Sequence, residues 1–310
     1  MTFAIHSWTA ADGAELRYGL LTSSDDAPLK NPRRGMVFVP GLGGSVKNSL
    51  VFFNALLQHF SPIVVPDLRG FGLNEHHPLP NPIQFVDDLN GLIAHAAPLH
   101  TGQQPWMLGG ISLGGCVVSH YLGQPVNKAN LSTFLLPDSV WLLAPAVQEH
   151  PQMFRWRYVA KTLWTLFTRP QTLIQLPYGL EALTQNPAVL ASKQYQQHMA
   201  DFYIPAGFLW QLRRFNRSAG LQLHGVTQPI HLSIPLADRI ICPTAMERLF
   251  QQLPLHPHHF CGRYPGLYHD VPLEIQMPAV VADVGAWASQ LPFVLRRTQP
   301  NASAPFPSVV

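Results

Sequence analysis

The chain reads as an α/β protein, with a mostly parallel central sheet flanked by helices and a helical segment inserted between two of the strands. Three observations predict this. Short apolar, β-rich runs alternate with helix-length amphipathic stretches over most of the 310 residues. From about 148 to 225 that alternation stops, and helical stretches rich in aromatics replace it. Finally, 47% hydrophobic against 12% charged residues suits one large core, or two ordinary ones, and argues against extensive disorder.

The first strand is expected at Glu15–Thr22, where apolar residues alternate with polar ones, and the second at Gly35–Val39, an unbroken apolar run of the kind buried on both faces. An amphipathic helix over Val46–Phe60 leads to a β-branched run, Pro62–Pro66, bounded by prolines. A helix at Pro82–Ala97, a strand at Trp106–Gly109, a helix at Leu113–Leu122 and a strand at Val140–Leu143 follow. Beyond the aromatic segment come strands at Ile230–Pro235 and His259–Arg263, with helices at Thr244–Leu253 and Leu273–Leu291.

Composition narrows the function. A net charge of +3 over 310 residues, with no basic arm, gives no footprint for a phosphate backbone, so nucleic acid is not expected as a partner. The N-terminus shows no signal-peptide pattern and no apolar run approaches the roughly 20 residues that span a bilayer, which predicts a cytoplasmic protein. Asn-x-Ser triplets at Asn130, Asn216 and Asn301 carry no weight in that setting. Cys116, Cys242 and Cys261 are odd in number and widely spaced, so they read as buried thiols and not as a disulfide framework or a metal site. The aromatic segment holds eight basic residues against three acidic ones, a net charge of +5 in a chain of +3, which suits contact with lipid interfaces.

The chemistry begins at Gly110-Ile111-Ser112-Leu113-Gly114. A bare Gly-x-Ser-x-Gly is weak, but here a predicted strand enters and a predicted helix leaves, so Ser112 sits on a sharp turn that exposes its hydroxyl. Side chains at Gly110 or Gly114 would collide where the two backbones approach. A serine needs a base to take its proton, and among fifteen histidines His269 stands out because it follows the last predicted strand. The orienting carboxylate is expected after the penultimate strand, where Asp238 lies. Asp67, at the end of Pro62–Pro66, is its rival and reads as structural; Asp138 precedes its strand and Asp270 adjoins the base. The backbone N–H groups of Leu42, in Pro40-Gly41-Leu42-Gly43-Gly44, and of Leu113 are the expected oxyanion donors. His76 and His77 are placed near the mouth of the site, and His256, His258 and His259 read as surface residues, not metal ligands.

These residues resemble the α/β-hydrolases of the monoacylglycerol lipase, lysophospholipase and serine-aminopeptidase-like group. The likeness runs from about Ala14 to Leu291 and rests on residues 41–44, Asp-Leu-Arg-Gly-Phe-Gly at 67–72, the serine elbow, Ala-Asp-Arg-Ile-Ile at 237–241 and Tyr-His-Asp-Val-Pro-Leu-Glu at 268–274. It implies an α/β-hydrolase fold with a helical cap inserted after the sixth strand, the chain order Ser112, Asp238, His269, hydrolysis of a small acyl ester, and no cofactor. Pro40 and Ile111 depart from the usual pattern, which carries histidine at the first place and often a polar residue at the second. On this basis residues 1–147 form the first part of the core, 148–225 the cap, 226–297 the second part, and 298–310 a disordered tail.

Three functions fit these features: a serine ester hydrolase acting through an acyl-enzyme, a serine aminopeptidase of the same fold, and a non-catalytic ligand-binding protein.

Overall fold

The computed structural model describes residues 1–23, 34–96, 105–124, 135–153 and 156–292, apart from the side chains of 156–159, 161 and 163. The tail expected to be disordered, and the triplets at Asn130 and Asn301, lie outside the described residues. In chain order the elements are β1 (Thr2–Thr9), β2 (Glu15–Thr22), β3 (Arg34–Val39), α1 (Leu50–Leu56), β4 (Phe60–Pro66), α2 (Gln84–Ala96), β5 (Trp106–Ile111), α3 (Leu113–Leu122) and β6 (Ser139–Leu143). An insertion follows, with α4 (Trp156–Thr168), β7 (Leu173–Gln175), α5 (Leu180–Leu183), α6 (Pro187–Leu190), α7 (Lys193–Ala200), β8 (Tyr203–Pro205) and α8 (Ala206–Ser218). The core resumes with β9 (Ile230–Pro235), α9 (Pro243–Gln251), β10 (Phe260–Tyr264) and α10 (Met277–Gln290).

Eight strands form one sheet in the order β1-β2-β4-β3-β5-β6-β9-β10, parallel from β4 onward and antiparallel at β1 and β2. Every residue of β3, β5, β6 and β9 is buried, because helices cover both faces of the sheet. Alternation along β3 sorts its residues between two cores. Val37 and Val39 pack with α2 and α3, whereas Met36 and Phe38 pack with α1, α10 and Trp141. This is the α/β-hydrolase fold, and its cap follows the sixth strand.

Several boundaries differ from expectation. β1 has no counterpart in the predicted elements; it is an edge strand that buries only Trp8, so its apolar pattern is faint. The helix expected over Val46–Phe60 splits into a 3-10 turn at Lys47–Ser49 and α1, and Phe60 instead opens β4 with its side chain fully buried. The last helix starts at Met277 and not at Leu273, since Pro278 fits only the first turn of a helix, where no N–H is needed. Cys116 and Cys242 are buried free thiols and Cys261 is a partly exposed one. No helix among the described residues is long and apolar enough to cross a membrane.

Candidate active site

Ser112 joins β5 to α3 with φ 54° and ψ −118°, a conformation a residue bearing a side chain adopts only at a cost of about 1–3 kcal/mol. Neighbouring backbone holds it there. Its N–H donates to the carbonyl of Leu143 at 3.0 Å, and its own carbonyl accepts from Ala146 at 3.1 Å. The end of β6 therefore clamps the turn from both sides. A Cβ at Gly110 would sit 2.5 Å from the carbonyl carbon of Gly114, and one at Gly114 would overlap the carbonyl oxygen of Val39. The two glycines let the start of α3 pass under β3, which aims the serine hydroxyl away from the sheet.

His269 lies on the loop after β10, and its Nε2 is 2.9 Å from Ser112 Oγ. Its Nδ1 is 2.6 Å from Asp238 Oδ2. Asp238 occupies the turn after β9, where its other oxygen accepts the N–H groups of Ile240 and Ile241, each at 2.8 Å. Further backbone bonds, Leu236 N–H to Tyr264 and Ala237 N–H to Leu267, join the loops carrying acid and base. The structure thus brings together all three residues that the sequence nominates, each from the carboxyl end of a different parallel strand.

Electrostatics favour a proton on the imidazole. Burial alone, the largest influence, pushes His269 down, but the charge and hydrogen bond of Asp238 and the charge of Asp270 together leave it above its ordinary value. Asp270 is itself pushed up to about 6, chiefly by burial, with the charge of His269 opposing and that of Glu274 adding to the rise.

The rival carboxylates have other partners. Asp67 accepts from Ser45 Oγ at 2.8 Å, Val46 N at 2.7 Å and Leu73 N at 2.8 Å, so it ties the loop after β3 to the 67–74 turn. Asp138 accepts from the N–H of Trp106 at 2.9 Å, at the far end of the sheet from Ser112. His76 and His77 do not line the site: the His77 ring meets the carbonyl of Glu15 and lies tilted against the His76 ring. His256 and His259 accept from the backbone of His258 and Ile230, and no metal-binding cluster occurs among the described residues.

Leu113 is the first residue of α3, so its N–H has no partner inside the helix. Leu42 lies beside the serine, since a Cβ on neighbouring Gly41 would be 3.3 Å from Ser112 Cβ. Two cavities of about 140 and 180 Å³ converge here, sharing Leu42, Ser112, Leu176, Tyr178 and His269 as walls. The first runs under α7, past Asn48, Tyr195, His198 and Asp270, with Ile111 in its lining. The second runs between α4 and α8, past Leu166, Leu209, Leu212, Ile240 and Ile241. Cap residues that touch the site, such as Leu176 and Tyr178, carry no sequence signal. Leu209, Leu212, Arg213 and Asn216 do: their spacing marks one face of α8.

A family model described as serine aminopeptidase, S33, matches residues 30–276, four-fifths of the chain. The chain belongs to that family. A monoacylglycerol lipase of Mycolicibacterium smegmatis is 25% identical over 292 residues, covering 91% of this S33-family chain and 95% of the lipase. Among solved structures, a soluble variant of the Saccharomyces cerevisiae monoglyceride lipase superimposes with a TM-score of 0.72 at 18% identity, covering 89% of this chain and 92% of that one. The Paleococcus ferrophilus monoacylglycerol lipase gives 0.66 at 17% identity, covering 88% and 100%. Both solved structures share the α/β-hydrolase fold of this S33-family chain.

Proposed function

We propose that the chain is a serine hydrolase of carboxylic esters, with Ser112 as nucleophile, His269 as general base and acid, and Asp238 as the group that orients the imidazole. One observation carries this above all: an unbroken hydrogen-bond line from Asp238 through His269 to Ser112 Oγ, at the junction of two cavities. Ser112 Oγ attacks the ester carbonyl as His269 Nε2 takes its proton, and the N–H groups of Leu42 and Leu113 receive the negative oxygen. The imidazolium then protonates the leaving alcohol. Water, deprotonated in turn by His269, releases the acid from the acyl-enzyme. Asp238 is already committed to two backbone N–H groups, so its remaining oxygen fixes the tautomer without turning away.

Monoacylglycerols, lysophospholipids and short-to-medium acyl esters suit the largely apolar walls. A peptidase acting on a free N-terminus would need an unpaired carboxylate in the cap to hold an ammonium group. Glu149 is paired with Arg213 at 3.1 Å and lies 3.8 Å from Arg217, while Glu181 and Asp201 are exposed. Ester hydrolysis is therefore favoured. The cap also suits an anionic lipid surface: Trp164 and Phe167 are 72% and 82% exposed on α4, and Arg169 and Arg214 are exposed nearby in the chain or on the adjoining α8.

The test is hydrolysis of p-nitrophenyl esters by wild type, Ser112→Ala and His269→Ala, with a fluorophosphonate probe in parallel. Wild type should turn over and label, and both variants should lose turnover. Equal rates in all three would overturn the mechanism, and faster cleavage of amino-acid anilides than of esters would restore the peptidase.

A further inference from the structure

The cavity between α4 and α8 has mostly apolar walls, with one interruption. Among the described residues that line it, the charged and amide side chains away from Ser112 and His269 are Glu149, Arg213 and Asn216, the last two one turn apart on the inward face of α8. Arg213 Nε donates to Glu149 Oε1 at 3.1 Å. Asn216 Oδ1 is closed to solvent and lacks a hydrogen-bond partner among the described residues, and Glu149 Oε2, 3.8 Å from Arg217 Nη2, makes no hydrogen bond among them either. A buried acceptor without a donor is costly, typically by about 1–3 kcal/mol, so this wall is complementary to a ligand that brings a donor.

Charge identifies the donor. With Arg213 and Arg217 both beside Glu149, the cluster carries a net positive charge, which disfavours an ammonium group and leaves a neutral hydroxyl. The other cavity decides which half of the ester brings it. Asn48, Tyr195, His198 and Asp270 give that first cavity several polar partners for an alcohol, whereas the walls of the α4–α8 cavity otherwise suit an alkyl chain.

We propose that the α4–α8 cavity receives the acyl chain, and that Asn216 with the Glu149–Arg213 pair selects acyl groups bearing a hydroxyl. This specificity rests on the ester-hydrolase function proposed above and adds the class of acid released.

The test measures kcat/KM for ethyl esters of one saturated fatty acid and of its monohydroxy isomers, the hydroxyl being stepped along the chain. One isomer should exceed the unsubstituted ester by about fivefold or more, the size of effect one hydrogen bond supports. In Asn216→Leu that ratio should fall to about one, and Asn216→Asp, which keeps an acceptor, should retain part of it. Because the readout is a ratio, a general change in activity cancels. The wild-type ratio stands without any variant: if no isomer exceeds the unsubstituted ester, or if Asn216→Leu keeps the preference, the proposal is overturned while ester hydrolysis stands. A rate gain from a glyceryl over an ethyl ester that Asn216→Leu abolishes would assign this cavity to the alcohol half and overturn it too. Failure of wild type on every ester, p-nitrophenyl acetate included, would instead overturn the reaction and this specificity with it.

Discussion

Gly114 lies against Val39 so closely that a methyl group on it would overlap the Val39 carbonyl oxygen. The start of α3 and the end of β3 therefore meet backbone to backbone, and that contact fixes the spacing between Ser112 and Leu42. Gly114→Ala should push them apart, at a cost of about 1–3 kcal/mol in stability. Ester hydrolysis should fall further than the loss of folded protein explains. Thermal melting beside turnover measured well below the melting point checks both.

Asp238→Asn should lower kcat on p-nitrophenyl esters by about 10³–10⁴-fold while leaving substrate binding nearly unchanged, because the amide cannot hold the same imidazole tautomer. Steady-state kinetics with kcat and KM resolved would show it; a parallel rise in KM would point to a disturbed loop.

The acid limb of the pH–rate profile reports protonation of His269. The base works only when neutral, and its pKa is held above 6.5, so kcat/KM should fall as pH drops through a point above that value. Asp270, anionic above about 6, contributes to the elevation. Asp270→Asn should therefore move the acid limb to lower pH, and a profile from pH 5 to 9 would record the direction.

His231 is fully buried on β9, between Phe260 and Trp287, and burial pushes its pKa down to about 3. The unfolded imidazole takes up a proton below about 6.5, while the folded one stays neutral to about 3. Stability from this residue is thus complete above 6.5 and is lost as pH falls toward 3, by on the order of 4 kcal/mol. Denaturant unfolding of wild type and His231→Phe across pH 7 to 4 should show a shallower acid loss in the variant.

Exposed Trp164 and Phe167 should support attachment to phosphatidylserine-rich vesicles, with exposed arginines adding a salt-sensitive part. Trp164→Ser with Phe167→Ser should reduce vesicle co-sedimentation, yet leave hydrolysis of water-soluble esters unaffected.

The most legible parts of the chain were those where local chemistry and fold agree. The unbroken apolar runs at Gly35–Val39 and Val140–Leu143 declared strands covered on both faces, Ser112 follows buried β5 directly, and Asp238 and His269 lie on the loops after β9 and β10. β1 was not legible, since an edge strand with one buried side chain in eight carries little apolar signal. Nor were β7 and β8, three residues each, whose pairing is a tertiary event. His76 and His77 were placed at the mouth by chain position, but the 67–74 turn carries them to β2, where His77 meets the carbonyl of Glu15. Cavity walls were the least legible, since Leu176, Ile240 and Ile241 meet only once the cap has folded onto the sheet.

β6 and β9 are paired neighbours in the sheet, with Val140 opposite Ile230, yet the entire cap is strung between them. The strands are parallel, so the chain leaves the core at the carboxyl end of β6 and re-enters it at the amino end of β9, and the cap occupies that return. On the way it binds the loop that holds the base: Asp270 N–H donates to the Leu183 carbonyl at 2.9 Å and Gln185 N–H to Glu274 Oε1 at 2.9 Å. The insertion that walls both cavities thus also steadies the residue beside His269, so a change in the cap reaches the reaction as well as the choice of substrate.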